Sequence, residues 1–92
     1  MKKTLIKAIT KKIKYLKQNV PDKKQNGEIT AYENVIKELK IISTIRVYLW
    51  LDHLIKLYCE NINNQNNYES GRKKAFIWTR DFINKNLGKE DF

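Results

Sequence analysis

The sequence is poor in the residues that build disulfides, metal sites and tight turns. It contains one cysteine (Cys59), one histidine (His53), one proline (Pro21) and three glycines in 92 residues. A single cysteine excludes an internal disulfide and a cysteine-based zinc cluster, and it fits a reducing compartment. So few Pro and Gly residues leave few sharp turns, which favours long helices over a sheet of many short strands.

Long apolar runs are also missing. A membrane-spanning helix needs about 20 mostly apolar residues, but the most apolar segment, residues 44–59, is interrupted by Arg46, Asp52, His53 and Lys56. The N-terminal sequence MKKTLIKAITKKIK lacks the continuous apolar stretch of about 7–15 residues found in a signal peptide. We therefore predict no transmembrane segment and a cytoplasmic location.

Common catalytic motifs are absent. The sequence has no P-loop, no dinucleotide-binding glycine motif and no serine nucleophile motif. His53 and Cys59 are six residues apart, a spacing that does not bring them together as a catalytic dyad or a metal pair. We expect His53 to be partly buried at the polar edge of a core helix and Cys59 to be a small core residue. We predict that the protein is not an enzyme and has no cofactor and no metal site.

Positive charge is concentrated at one end of the chain. The net charge is +9, and residues 1–24 alone contain nine Lys and one Asp, a net charge of +8. Such an asymmetry indicates an anionic partner, which is a nucleic acid, a membrane surface or an acidic protein. The chain has sixteen Lys and three Arg. Because dedicated readers of phosphates and bases rely on Arg, the charge alone does not single out nucleic acid.

Apolar residues recur at helical spacing in four segments. The stripe of the first segment consists of Leu5, Ile9, Ile13, Leu16 and Val20. Pro21 ends this segment because the residue before a proline avoids the helical region. We predict one all-α domain, 1–92, folded as a small antiparallel bundle of three or four helices. The helices are expected at about 3–19, 22–42, 44–62 and 68–87, with an Asn-rich loop at 61–67.

The second and third helices are less sharply bounded. Asp22 and Gln25 have the spacing of a capping box, and Asn26 is an alternative N-cap. The β-branched residues of KIISTIRVYLW also suit a strand, but the helical register continues through them. Whether the two helices are continuous near Ser43 stays open. A helix with as little polar surface as the third has to sit centrally in the fold or face a partner.

Two segments share the pattern Gly-x-x-x-Ala-aromatic, 44 residues apart. They are NGEITAYENVIKEL, with Gly27 and Ala31, and SGRKKAFIWTRDFI, with Gly71 and Ala75. Glycine in a helix costs about 1 kcal/mol relative to alanine, whereas small residues four apart allow a second backbone to approach closely. We therefore predict that the second and fourth helices cross near Ala31 and Ala75, followed by aromatic packing of Tyr32 and Phe76.

Basic residues with aromatic neighbours are the candidate binding residues. On the fourth helix they flank aromatics, a pattern that can hold a phosphate backbone while bases stack; alternatively, the aromatics belong to the core and the Lys residues are solvated. Arg46 precedes Trp50 by one turn, as a cation–π pair or a partner-facing anchor. The residues predicted to bind a partner or nucleic acid are Lys7, Lys11, Lys14, Arg46, Arg72, Lys73 and Arg80.

The two Gly-x-x-x-Ala segments in so short a chain resemble the small helical accessory proteins of phages and mobile elements, which include anti-CRISPR proteins. That resemblance implies an inhibitor that occupies a partner-binding or nucleic-acid-binding surface, in the cytoplasm of the host cell. By helix count and basic charge the chain also resembles bacteriocin immunity proteins, which act near the membrane.

We predict a non-enzymatic inhibitor or accessory factor that docks a basic surface on an acidic protein or a nucleoprotein complex. The alternatives are direct binding of nucleic acid and an immunity-like role near the membrane. Self-association into a homodimer through the apolar third helix is compatible with each of them.

Overall fold

The computed structural model describes residues 2–60 and 66–86, and in these ranges the chain forms four α-helices and no strand. The helices are α1 (Lys2–Leu16), α2 (Lys23–Leu39), α3 (Thr44–Glu60) and α4 (Asn67–Asn86). The predicted all-α class is confirmed. The predicted helix ends at 62 and 87, and most of the predicted loop at 61–67, lie outside the described residues.

Side-chain caps set the starts of three helices. Asp22 forms the predicted capping box, because its Oδ1 accepts from the Gln25 backbone N at 2.8 Å while the Gln25 Oε1 accepts from the Asp22 backbone N at 3.1 Å. Ser43 Oγ accepts from the backbone N of Arg46 at 3.3 Å, and Asn66 Oδ1 accepts from that of Glu69 at 2.9 Å. The alternative cap Asn26 is therefore wrong, and α2 and α3 are separate helices.

The first helix ends earlier than its apolar pattern predicts. The chain leaves α1 at Leu16 through a tightened turn, in which the backbone N of Gln18 donates to the Tyr15 O at 3.3 Å. Val20, predicted as the end of the apolar stripe, is 96% exposed. Leu5 and Ile9 are the buried members of this stripe. After Leu16 the chain turns to return along α2. Pro21 therefore follows a helix that has already ended.

The centre of the fold is the pair α2 and α4, which run in the same direction. Their contacts pair residues that rise together along both helices: Gly27 with Tyr68, Glu28 with Lys74, and Tyr32 with Trp78. The outer helices pack on this pair from different sides, α1 on α2 and α3 on α4. Each outer helix runs antiparallel to the central helix on which it packs, as predicted.

Two glycines permit this central contact. A Cβ on Gly27 would lie well under 3.0 Å from the backbone O of Tyr68, and one on Gly71 equally close to the backbone O of Lys24. Each glycine thus receives a backbone carbonyl of the other helix. Ala31 and Ala75, one turn further along, are fully buried. The predicted close approach of the second and fourth helices is confirmed, but its tightest backbone contacts lie at the two glycines, one turn before Ala31 and Ala75. The repeated Gly-x-x-x-Ala pattern serves helix packing.

Aromatic side chains close the core beyond the glycines. The rings of Tyr32 and Trp78 meet edge to face at 5.9 Å, and those of Phe76 and Trp50 do the same at 5.9 Å. The remainder of the core comes from the inner faces of the four helices, with fully buried Leu5, Ile9, Val35, Leu39, Val47, Leu51 and Ile83.

The third helix lies at the side of the fold rather than at its centre. Only its inner face is buried, while His53 and Cys59 are exposed. The expectations of a partly buried histidine and a core cysteine are therefore wrong. Several apolar residues of α3 are exposed as well, among them Ile45 and Leu49, so α3 has more apolar residues than the core buries.

The close contact at the two glycines can be tested because it should reverse the usual effect of replacing a helical glycine by alanine. Gly27→Ala should lower the free energy of unfolding by about 2–3 kcal/mol, because the new methyl group pushes the Tyr68 carbonyl away, although Gly→Ala in a helix normally stabilises by about 1 kcal/mol. Gly71→Ala should behave likewise. Urea unfolding followed by circular dichroism measures both.

The matched control is Asn26→Ala, at an exposed position beside Gly27 in α2. It should be neutral or stabilising. Equal stability of Gly27→Ala and Asn26→Ala would show that the two helices do not approach each other as described.

Candidate binding surface

Three of the predicted binding residues form one face of α1. Lys7, Lys11 and Lys14 are all exposed, and their spacing of four and three residues places them on one side of the helix. Leu5 and Ile9 on the opposite side are fully buried and fix this orientation. We call these three lysines the α1 lysine face. Within the described part of the chain, none of the three forms an ion pair.

The two arginines of α4 are used inside the molecule. The Arg72 Nε donates to the Tyr58 hydroxyl at 3.3 Å, and its guanidinium lies 5.3 Å from the centre of the Phe76 ring. Arg80 lies 3.6 Å from Asp52 across the interface between α3 and α4. Both arginines therefore hold α3 on α4. As binding residues they remain predictions, but neither presents a free guanidinium.

The other two predicted residues lie apart from the α1 lysine face. Lys73 is half-buried on α4, and Arg46 is exposed in the first turn of α3. The cations that lie over aromatic rings among the described residues are Lys12 and Arg72. The cation–π alternative for Arg46 and Trp50 is therefore wrong, and the alternative of a partner-facing anchor stays a prediction. The seven predicted residues do not form one surface, because α1 and α3 lie on different sides of the central pair.

A cleft opens beside the α1 lysine face. It has a volume of about 350 Å³ and lies between the end of α1, the start of α2 and the middle of α4. Its lining includes three lysines from three helices, three aromatic rings and two carboxylates: Lys12, Lys24, Lys74, Tyr15, Tyr32, Trp78, Asp22 and Glu28. Sequence analysis missed this cleft because these residues are up to 66 positions apart in the chain.

The Glu28 carboxylate in the cleft is nearly buried and forms an ion pair. Glu28 is 6% exposed and its Oε1 lies 3.2 Å from the Lys74 Nζ. Its charge also acts on Tyr32, which lines the same cleft. Burial, with a further contribution from Glu28, raises the pKa of the Tyr32 phenol far above its ordinary value of 10.0. The floor of the cleft therefore keeps a neutral phenol beside a paired carboxylate.

The α1 lysine face and the cleft are continuous. Tyr15, 72% exposed, lies one helical turn from both Lys11 and Lys12. The Nζ of Lys12 lies 4.8 Å from the centre of the Trp78 ring. The lysines of α1 are therefore next to the aromatic side chains that line the cleft. Such a surface can hold carboxylates or phosphates along α1 and an apolar or aromatic group at its end.

Two other kinds of site find no support in the described ranges. Residues 2–60 and 66–86 contain no group of three His, Cys, Asp or Glu side chains placed to hold a metal ion. The four described helices include none that is long and apolar enough to cross a bilayer.

The buried phenol predicts a stability loss at high pH. Because the pKa of Tyr32 is higher in the folded than in the unfolded protein, its contribution is complete below pH 10 and is lost as the pH rises above that value. Tyr32→Phe should therefore flatten the fall of the unfolding free energy above pH 10. Urea midpoints measured at intervals up to pH 12 test this.

The exposed phenol of Tyr15 serves as the control, because Tyr15→Phe should leave that fall unchanged. Identical pH profiles for Tyr32→Phe and the unmodified protein would show that Tyr32 ionises as easily in the fold as outside it.

The ion pair between Glu28 and Lys74 predicts that Lys74 contributes more to stability than its neighbour Lys73. Lys74→Met leaves the buried Glu28 without its partner and should destabilise the fold by about 1 kcal/mol, a modest value because the Lys74 side chain is 64% exposed. Lys73→Met removes the same charge one position earlier and should change stability much less. Thermal melts measure the stability of both variants. Equal shifts of the melting temperature would argue against the ion pair between Lys74 and Glu28.

Comparison with known proteins assigns no function, so the proposal below rests on the α1 lysine face and the cleft. The chain matches no protein family, no curated protein and no solved structure at a significant level.

Proposed function

We propose that this chain is a non-enzymatic binding protein, of the accessory or inhibitor type, that docks on an acidic protein surface within a larger complex. The observation that carries the proposal is the α1 lysine face, which forms no ion pair within residues 2–60 and 66–86 and continues past Tyr15 into the cleft. In this function a carboxylate-rich segment of the partner lies along Lys7, Lys11 and Lys14. An apolar or aromatic side chain of the partner enters the cleft against Trp78.

The lysines favour carboxylates of a protein over the bases of a nucleic acid. Lysine acts as a point charge, whereas bidentate readout of guanine and phosphate depends on the planar fork of arginine. Arg72 and Arg80 are engaged with groups of their own chain. The cleft also carries the carboxylate of Glu28, which can accept a hydrogen bond from a peptide N–H.

Direct binding of nucleic acid is the second candidate. Tyr15 and Trp78 beside the lysines favour it, because single-stranded nucleic acids bind where aromatic rings for stacking adjoin positive charge. Both candidates use the same surface and are steered by the same charge, so they have to be separated by the probe.

The membrane role of an immunity-like protein is the weakest of the three. A surface-bound amphipathic helix inserts its apolar face into the lipid, but the apolar face of α1 is committed to the core through Leu5 and Ile9. Insertion would cost the packing of α1 on α2.

Neutralising the α1 lysine face is the direct test. The triple variant Lys7→Gln, Lys11→Gln, Lys14→Gln should bind a fluorescent, glutamate-rich peptide at least about tenfold more weakly, since each exposed pair contributes modestly and three are lost. The control variant Lys37→Gln, Lys40→Gln, Lys85→Gln removes the same charge from exposed positions on α2, its C-cap and α4. It should retain most of the affinity. Fluorescence anisotropy at two salt concentrations measures both.

A single-tryptophan background reports on the cleft in the same titration. Trp50→Phe leaves Trp78 as the one tryptophan of the chain, so its emission should change when a peptide with an aromatic residue enters the cleft. A peptide without that residue should leave the emission unchanged.

Three results would count against the proposal. Equal losses in the two triple variants would mean unspecific charge attraction. Tighter binding of a single-stranded oligonucleotide than of the peptide, with a steep salt dependence, would favour the second candidate. Absence of binding to either probe at low salt would remove both.

A further inference from the structure

The outer side of α3 carries apolar residues that the fold does not use. Ile45 is 45% and Leu49 61% exposed, one helical turn apart, and Ile41 in the linker before α3 is 68% exposed. We call these three residues the α3 outer face. Val47, Leu51 and Ile55 on the opposite side of the helix are buried, so the core is complete without the α3 outer face.

The third helix carries no net charge, unlike α1 and α4. Within Thr44–Glu60 the charged residues are Arg46, Asp52, Lys56 and Glu60, two of each sign, in a protein of net charge +9. Two copies that meet through α1 would bring two α1 lysine faces together. Two copies that meet through α3 bring together helices without net charge, so electrostatic repulsion is weaker there than at α1 or α4.

The spacing on this face suits packing against itself. Ile45 and Leu49 are four residues apart and belong to one ridge of the helix surface, and such ridges from two helices interdigitate at a crossing angle of about −50°. The same patch on both partners is the rule for interfaces with two-fold symmetry. The exposed His53, the next residue in this row, borders the patch with a polar side chain.

The dimensions are those of a small interface. Seventeen residues of α3 extend for about 25 Å. A standard interface covers about 800 Å² on each partner, a modest share of the 6173 Å² that the chain exposes. One helix face is smaller than a standard interface, so we expect a weak, concentration-dependent dimer.

We propose that the protein forms a homodimer in which the α3 outer face packs against the same face of a second copy. Because α1 and α3 lie on different sides of the central pair, this dimer leaves both α1 lysine faces free. An acidic partner with two docking segments would then meet a bivalent binder, whose avidity exceeds the affinity of one face.

Sedimentation equilibrium of the purified full chain, without any partner and under reducing conditions, tests the dimer. The unmodified protein should shift from monomer to dimer as its concentration rises. Leu49→Arg should weaken the dimer at least about tenfold, because it places a charge in the apolar contact. Val20→Arg, which removes a residue 96% exposed in the linker after α1, is the matched control and should dimerise like the unmodified protein.

Cross-linking gives a second readout that does not depend on an added charge. In a Cys59→Ser background, Leu49→Cys should form a disulfide-linked dimer under mild oxidation much faster than Val20→Cys. Circular dichroism checks that each variant is folded.

The proposal is overturned if the unmodified chain stays monomeric at all concentrations, if it forms open-ended oligomers, or if Leu49→Arg and Val20→Arg behave alike. Because no acidic probe is present, failure of the dimer is distinguishable from failure of the proposed function of α1.

Discussion

The close approach of two backbones at Gly27 and Gly71 is the constraint on which the rest of the structure depends. At each glycine a carbonyl of the other central helix occupies the space where a Cβ would be. This contact sets the distance between α2 and α4 and their parallel course. The outer helices then pack on a pair whose geometry is already fixed.

The central pair has an internal correspondence that makes the contact reciprocal. Both helices begin at an Asx cap, and both carry their glycine as the fifth helical residue, with a buried alanine and a buried aromatic residue after it. The corresponding residues are 44 positions apart: Asp22 and Asn66, Gly27 and Gly71, Ala31 and Ala75, Tyr32 and Phe76. Because the backbone of each helix fills the gap left by the other, the two glycines are needed together.

The outer helices have opposite surface chemistry. The outer side of α1 carries the exposed Lys7, Lys11 and Lys14, and the outer side of α3 carries exposed Ile45 and Leu49 on a helix without net charge. The surface proposed for docking and the surface proposed for dimerisation therefore lie on separate sides of the central pair. Arg72 and Arg80 contact residues of α3 from α4.

Sequence patterns alone determined much of the fold and part of the site. Apolar spacing predicted the four helices, the capping spacing of Asp22 and Gln25 predicted the start of α2, and the two small-residue patterns predicted which helices approach closely. These features follow from local geometry, because caps and apolar stripes depend on residues within a few turns of one another. The α1 lysine face is predictable for the same reason.

Only the tertiary structure decided which side chains are free and which are partnered. The Arg72 contact with Tyr58, the Arg80 contact with Asp52 and the cleft around Glu28 join residues of different helices. Periodicity assigns a residue to one side of its own helix but does not say which helix covers that side, or whether any does. The third helix illustrates this limit. It is apolar enough for a central position, but α4 already packs closely against α2. The third helix therefore lies at the side of the fold, with Leu49 exposed.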